Sequence, residues 1–185
     1  MVVCWSCPNA AQRRSGERAR GRPCTQESVS CIGLDGVVAL IPTLGPTRVR
    51  FTSDRTAPIA GAWYPYTSDL SNELGRLSTA VSPLLGDITS ISVNWQNFRR
   101  YPGLDSPDAP AVPPLMTLTT SQMTATLLVI TCRTSSSLAA ILLRLASDSE
   151  LLDGQAHSLE TLRGRRILSM ASEYVLEQNA AAATH

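Results

Sequence analysis

The residues best suited to chemistry lie at the start of the chain. Two thiolates with two residues between them, as in Cys4 and Cys7, can hold one tetrahedral metal ion, and Cys24 and Cys31 would complete a zinc site of four cysteines. The second pair has six residues between its cysteines, which is wider than the tight repeat of zinc ribbons. Zinc would supply the folding energy of a segment that has few apolar residues. The alternative is a disordered arm whose cysteines bind nothing.

Five arginines lie between the two cysteine pairs. With two glutamates they give residues 1–31 a net charge of +3, against −2 for the rest of the chain. The five are Arg13, Arg14, Arg18, Arg20 and Arg22. Arginine makes bidentate contacts with phosphate, so this arm is a candidate nucleic-acid-binding segment. The chain has no lysine anywhere, which a GC-rich coding sequence also explains.

The remainder of the sequence offers little for catalysis. It contains no G-x-S-x-G, P-loop, G-x-G-x-x-G or H-E-x-x-H motif. Cys132 and His157 provide a thiol and an imidazole, but Cys132 ends an apolar run and resembles a buried small hydrophobe. Arg163, Arg165 and Arg166 lie early in a helical stretch and are expected to pair with Asp148, Glu150 or Asp153, the alternative being a contact with phosphate or an acidic partner. The sequence therefore predicts a protein that is not an enzyme.

The most regular pattern is an apolar stripe in residues 70–95, whose members recur in alternating steps of four and three. Ser68 can cap a first helix, over residues 69–81, and Ser82 can cap a second helix in which Pro83 takes the first position. Such stripes usually pack on the protein's own core. The alternative is an interaction surface on the first helix, formed by Leu70, Leu74, Leu77 and Val81.

The other elements place this stripe within the chain. Residues 32–101 are predicted as a small mixed region with short strands at Val37–Ile41 and Val49–Phe51. Five prolines in residues 102–114 predict a semi-rigid linker and a domain boundary. Residues 115–178 are predicted as a helical region that ends in an antiparallel hairpin, although its Thr-rich start also suits strands. Residues 179–185 are predicted as a tail, and Ser137 and Ser158 as the helix caps.

These observations favour a helix-rich α+β fold with a disordered N-terminal arm and a C-terminal α-hairpin. The leading hypothesis for function is an interaction or assembly protein whose apolar helical surface binds another protein or a second copy. The alternatives are a nucleic-acid-binding protein with a Cys4 zinc-stabilised arm, and an orphan product without a biochemical role. With no 18-residue apolar run and no secretory signal, an intracellular protein, cytoplasmic or nuclear, is expected. The arginine-rich start leaves organellar import open.

Overall fold

The computed structural model describes residues 2–4, 47–54, 56–151 and 154–184, the first of these ranges as backbone only. The chain divides into two units, and one of them, Cys7–Leu44, falls outside the described residues. The described part of the other unit contains a six-stranded mixed sheet and three α-helices. The α+β class that the sequence predicts is therefore confirmed.

Within the described residues, the strands and helices occur in the order β, β, β, α, β, β, β, α, α. The strands are β1 (Val2–Cys4), β2 (Val49–Phe51), β3 (Gly61–Trp63), β4 (Ile88–Val93), β5 (Leu115–Thr120) and β6 (Thr124–Val129). The helices are α1 (Leu70–Leu85), α2 (Ser136–Leu145) and α3 (Leu159–Ala183), and a 3-10 helix covers Phe98–Arg100. The strand order is β1-β4-β5-β6-β3-β2, in which only β3 and β6 run parallel.

The sheet has a hydrophobic core on each face. Successive side chains of a strand point to opposite faces, so Met116 and Leu127 belong to one core, whereas Leu115 and Leu128 belong to the other. Leu77 of α1 packs in the first core, and residues of α2 and α3 pack in the second. We call these faces the α1 face and the α2–α3 face.

Helix α1 is a single helix, and the predicted break at Ser82 is wrong. Pro83 lies in the last turn, where its missing N–H removes one hydrogen bond close to the point at which the helix ends. The helix stops before Gly86, whose positive φ of 83° favours glycine. The predicted second helix is instead strand β4, which is rich in the β-branched residues that favour strands.

The proline-rich segment 102–114 connects two neighbouring strands of one sheet and does not mark a domain boundary. β4 precedes the segment and β5 follows it, and the two strands pair with each other. The hydroxyl of Thr131 donates a hydrogen bond to the carbonyl oxygen of Pro102 at 2.9 Å, and the backbone N–H of Leu104 donates to Thr134 Oγ1 at 3.0 Å. The segment is therefore anchored on the sheet.

The region after the prolines begins with the β5–β6 hairpin and only then becomes helical. α2 and α3 form the predicted helix pair, and they approach closely because Gly164 has no side chain. A Cβ on this residue would lie 3.1 Å from Leu145 Cδ1. Ser158 caps α3 as predicted, accepting a hydrogen bond from the backbone N–H of Thr161. The N-cap of α2, however, is Ser135 rather than Ser137, and α3 continues through most of the predicted tail.

The burial of Leu77 predicts a large stability effect. Leu77→Ala should lower the free energy of unfolding by about 2–5 kcal/mol, because it leaves a cavity between α1 and the sheet. Leu84 is 58% exposed on the same helix, so Leu84→Ala should change stability by no more than about 0.5 kcal/mol. Chemical denaturation of both variants measures this difference. Equal losses would contradict the position of Leu77 in the core.

Asp105 ties the proline-rich segment to the start of α2, since its carboxylate accepts a hydrogen bond from the backbone N–H of Ser135 at 3.1 Å. Burial raises the pKa of Asp105, but hydrogen bonds from Ser135 and the positive charge of Arg163 outweigh burial and hold this pKa below its usual value. A carboxyl group with a lowered pKa stabilises the folded state above its unfolded pKa of about 3.9. This stabilisation is lost as the pH falls through the folded pKa.

We expect Asp105→Ala to destabilise the protein by about 1 kcal/mol at neutral pH, because it removes the carboxylate that accepts a hydrogen bond from the backbone N–H of Ser135. The loss should shrink as the pH falls below about 4, because Asp105 then gains a proton in the unfolded chain before it does so in the folded protein, where its pKa is lower. Thermal melts of both proteins across this pH range test the expectation. Asp108→Ala, at an exposed position of the same segment, is the matched control and should show neither effect. A loss for Asp105→Ala that is independent of pH would contradict the electrostatic origin.

Candidate functional site: the groove between α1 and β4

An apolar groove of about 420 Å³ lies between α1 and β4. Leu70 and Leu74 form part of its helical wall, since residues four apart share one side of a helix. Ile91 and Val93 form part of the strand wall, because alternate residues of β4 share one face. We call this feature the α1–β4 groove.

A shift in strand register brings one more isoleucine into the α1–β4 groove. Ile88 pairs with Thr120, whereas Ser90 pairs with Thr119, so β4 has one extra residue between the two pairs. Such a bulge reverses the alternation of side chains along a strand. Ile88 therefore lines the same groove as Ile91, although the two are an odd number of residues apart.

Two aromatic side chains continue the apolar lining beyond the end of β4. The rings of Trp95 and Phe98 are 5.4 Å apart between centroids and tilted by 46°. Both residues are largely buried in the core of the α1 face. Aromatic pairs of this kind contribute about 0.5–1.5 kcal/mol beyond their buried area. The pair therefore gives this end of the groove a rigid wall.

The polar groups of the α1–β4 groove are uncharged. The described lining residues include hydroxyl side chains and the amide of Gln96, but no carboxylate, imidazole, thiol or guanidinium group. Two exposed arginines, Arg99 and Arg100, lie next to Phe98 in the 3-10 helix. The groove is thus suited to bind an apolar group, with positive charge close to one end.

A buried carboxylate fixes the first turn of α1. Glu73 is 3% exposed, and its Oε1 accepts hydrogen bonds from the backbone N–H of Thr67 at 3.0 Å and from its hydroxyl at 3.2 Å. These bonds satisfy a group that would otherwise be costly to bury. The predicted cap Ser68 is not used, since Asp69 is the N-cap residue and makes no side-chain capping bond. Glu73 performs the anchoring instead.

An arginine held between two tyrosines supports the segment that leads into α1. The guanidinium carbon of Arg48 lies 3.7 Å from the ring centroid of Tyr64 and 3.9 Å from that of Tyr66. Its Nε donates to the carbonyl oxygen of Tyr64 at 3.1 Å, and its Nη2 to that of Pro65 at 2.9 Å. Cation–π contacts and hydrogen bonds together fix the chain just before the helix.

Of the four residues that were predicted to form an interaction surface on α1, two are partly exposed and two are buried. Leu70 and Leu74 are half-buried and line the α1–β4 groove. Leu77 and Val81 of α1 are completely buried, so they belong to the core and not to a surface. The strand wall of the groove was missed, because Ile88 and Ile91 follow the same three- and four-residue spacing as the helix and were assigned to a helix.

Most of the predicted zinc site lies outside the described residues. Cys4 is in β1, opposite Ser90 of β4. Cys7, Cys24, Cys31 and the five arginines of the arm fall in the part that is not described. Within the described ranges, no three His, Cys, Asp or Glu residues are grouped so that they could hold a metal ion. The zinc site and the basic arm therefore stay predictions.

The predicted pairing of the arginines of α3 with acids near residues 148–153 stays a prediction, because Asp153 lies outside the described residues. Asp148 accepts a hydrogen bond from the hydroxyl of Thr52, next to β2. Arg144 Nη1 donates to the backbone carbonyl oxygen of Glu150 at 3.1 Å. Arg163 is exposed, and its charge acts on Asp105, which is far from it in sequence. These residues hold loops and helices together, and none of them lines the α1–β4 groove.

Comparison with protein families shows a match. The profile of a family of unknown function, DUF5994, matches residues 48–146, which is more than half of the chain and includes both walls of the α1–β4 groove. No curated protein and no solved structure shows significant similarity. In the part of the chain that the structure describes, no helix is long and apolar enough to cross a membrane.

Proposed function

The chain belongs to DUF5994, a family of unknown function, and we propose that it is a non-enzymatic interaction protein that binds a partner helix in the α1–β4 groove. The partner is a segment of another protein that folds as an amphipathic helix and places its apolar side in the groove. This mode of recognition is common where a helix and an adjoining surface leave an apolar channel open.

The observation that carries this proposal is a difference in burial across the α1 face. Met116 and Leu118 of β5 are 0% exposed, and they lie in one core cluster with Leu77 and Val81 of α1. Their paired neighbours on β4, Val93 and Ile91, are only half-buried. A second helix lying beside α1 would cover β4 in the way that α1 covers β5. Full burial of an exposed large apolar side chain contributes about 1.5–3 kcal/mol, so the burial of the remaining half of such a side chain contributes about half as much.

The charges near the groove indicate what flanks the apolar side of the partner helix. Arg99 and Arg100 are exposed at the end where Phe98 lines the groove. A partner helix with Asp or Glu beside its apolar residues would be attracted to this end. Rim charges of this kind raise the association rate and fix orientation more than they raise affinity. The uncharged lining further supports binding rather than acid–base catalysis.

A selection experiment tests the proposal even though the partner is unidentified. The full-length protein is used to select binders from a displayed library of helical peptides. Leu70→Asp and Leu74→Asp, combined in one chain, place two charges in the groove, whereas the control Leu84→Asp places one at an exposed position on the same helix. Leu77 is unsuitable for this test, because a charge at a buried core position would unfold the protein.

We expect the selected peptides to carry apolar residues at positions i, i+3, i+4 and i+7, with acidic residues beside them. They should bind the double variant at least about tenfold more weakly than the wild type, which corresponds to a loss of about 1.4 kcal/mol. They should bind Leu84→Asp like the wild type. Circular dichroism confirms that both variants are folded. Peptides that bind the folded double variant equally well would refute the proposal.

Light scattering, which measures the mass in solution, shows whether the partner is a second copy of this chain. If the wild type is a dimer and the folded double variant is a monomer, the helix in the groove comes from a second copy of this chain. That result would replace the proposed partner but retain the groove.

A further inference from the structure

A second cleft, of about 580 Å³, lies on the α2–α3 face of the sheet. Its sheet wall is a row of hydroxyl side chains from three adjacent strands. Ser92 of β4 pairs with Thr117 of β5, which pairs with Thr126 of β6. Thr124 of β6 adds a further hydroxyl to the lining. We call this feature the hydroxyl cleft.

The opposite wall of the hydroxyl cleft is formed by the late turns of α3. Tyr174, Val175, Gln178 and Asn179 line the cleft, and their spacing places them on one side of the helix. Tyr174 and Val175 are half-buried and pack against the core of the α2–α3 face. Gln178 and Asn179, one turn later, are exposed. This wall thus combines an apolar part with two amides.

The chemistry of the lining restricts what can bind. No described residue that lines the cleft is a carboxylate, a guanidinium or an imidazole, so neither a cation nor an anion would find a charged partner. Hydroxyl and amide groups, in contrast, both donate and accept hydrogen bonds. The ring of Tyr174 and the side chain of Val175 would contact an apolar surface on the same ligand. An uncharged molecule with many hydroxyl groups and a partly apolar ring satisfies both conditions.

The hydroxyl row can adapt to such a ligand without moving. Thr117 Oγ1 and Thr126 Oγ1 are 3.2 Å apart, and either can be the donor. A ligand hydroxyl can therefore accept from this pair or donate to it after a simple rotation of the hydroxyl hydrogens. The backbone that carries the pair is rigid, since β5 has a neighbour on each side in the sheet. The volume is also within the range of small-molecule sites.

We propose that the hydroxyl cleft binds an uncharged sugar, whose hydroxyl groups bond to the Ser and Thr row and whose ring packs on Tyr174. This site is distinct from the α1–β4 groove, because it lies on the other face of the sheet. One of its walls, α3, also lies outside residues 48–146, which match the family profile.

The test is a titration of the full-length, isotopically labelled protein followed by NMR. The probes are glucose, N-acetylglucosamine, maltose and trehalose, each up to about 10 mM, with glucose 6-phosphate as the charged comparison. At least one uncharged sugar should shift the backbone amides of Thr117, Thr126 and Gln178 in a saturable manner, with a Kd below about 10 mM. Glucose 6-phosphate should bind more weakly than glucose, because no cation in the described lining receives its phosphate.

Two variants distinguish sugar binding in the hydroxyl cleft from unspecific effects of sugar on the spectrum. Thr126→Val keeps the shape of the side chain and removes its hydroxyl, and Gln178→Ala removes an exposed amide. Each should weaken sugar binding at least about threefold, and together at least about tenfold. Gln96→Ala in the α1–β4 groove is the matched control and should leave sugar binding unchanged. The double variant at Leu70 and Leu74 should also still bind sugar, so failure of the helix-binding proposal leaves this one intact.

Three results would overturn the proposal. The first is that none of the four uncharged sugars shifts these amides. The second is that the shifts appear around Gln96 rather than around the hydroxyl cleft. The third is that Thr126→Val and Gln178→Ala, folded as judged by their spectra, bind sugar as the wild type does.

Discussion

The register of the β5–β6 hairpin is the constraint on which the remaining structure depends. Leu115 pairs with Leu128 and points to one core, while Met116 pairs with Leu127 and points to the other. A slip of one residue would exchange the two faces and leave both helix layers without matching surfaces. The turn that fixes this register is held by Thr120, whose Oγ1 accepts hydrogen bonds from the backbone N–H groups that follow it in the turn.

The two proposed sites arise because the helix cover and the polarity of the side chains change from the centre of the sheet toward β4. On the α1 face the apolar character continues into β4, but the helix that covers it does not, which leaves the α1–β4 groove. On the α2–α3 face the helix α3 continues, but the side chains beneath it change from leucine to threonine and serine, which leaves the hydroxyl cleft. The α1 face thus lacks a helix over β4, and the α2–α3 face lacks apolar side chains beneath the late turns of α3.

Local signals in the sequence were sufficient for several elements. The strand Val49–Phe51, the cap at Ser158 and the helix pair follow from short patterns, and they are found in the structure. The apolar stripe in residues 70–95 led to the wrong prediction of a second helix, and the reason is local. A bulge in β4 puts Ile88 and Ile91 on one face at a spacing of three, which imitates a helix. Residues 102–114 are held on the sheet by hydrogen bonds with Thr131 and Thr134, which lie about thirty residues later in the chain. No local sequence pattern reveals such contacts. The groove was therefore only half predictable, through Leu70 and Leu74.

The parallel pairing of β3 with β6 has a consequence for synthesis on the ribosome. Gly61 pairs with Leu127, so β3 can take its place in the sheet only after 66 further residues have been made. Until then Trp63, which is 1% exposed in the finished fold, has no β6 beside it. Non-local pairings of this kind form late, because the intervening chain must close as a loop first. During synthesis, therefore, the segment that contains Trp63 leaves the ribosome before the strand that lies beside it in the finished sheet.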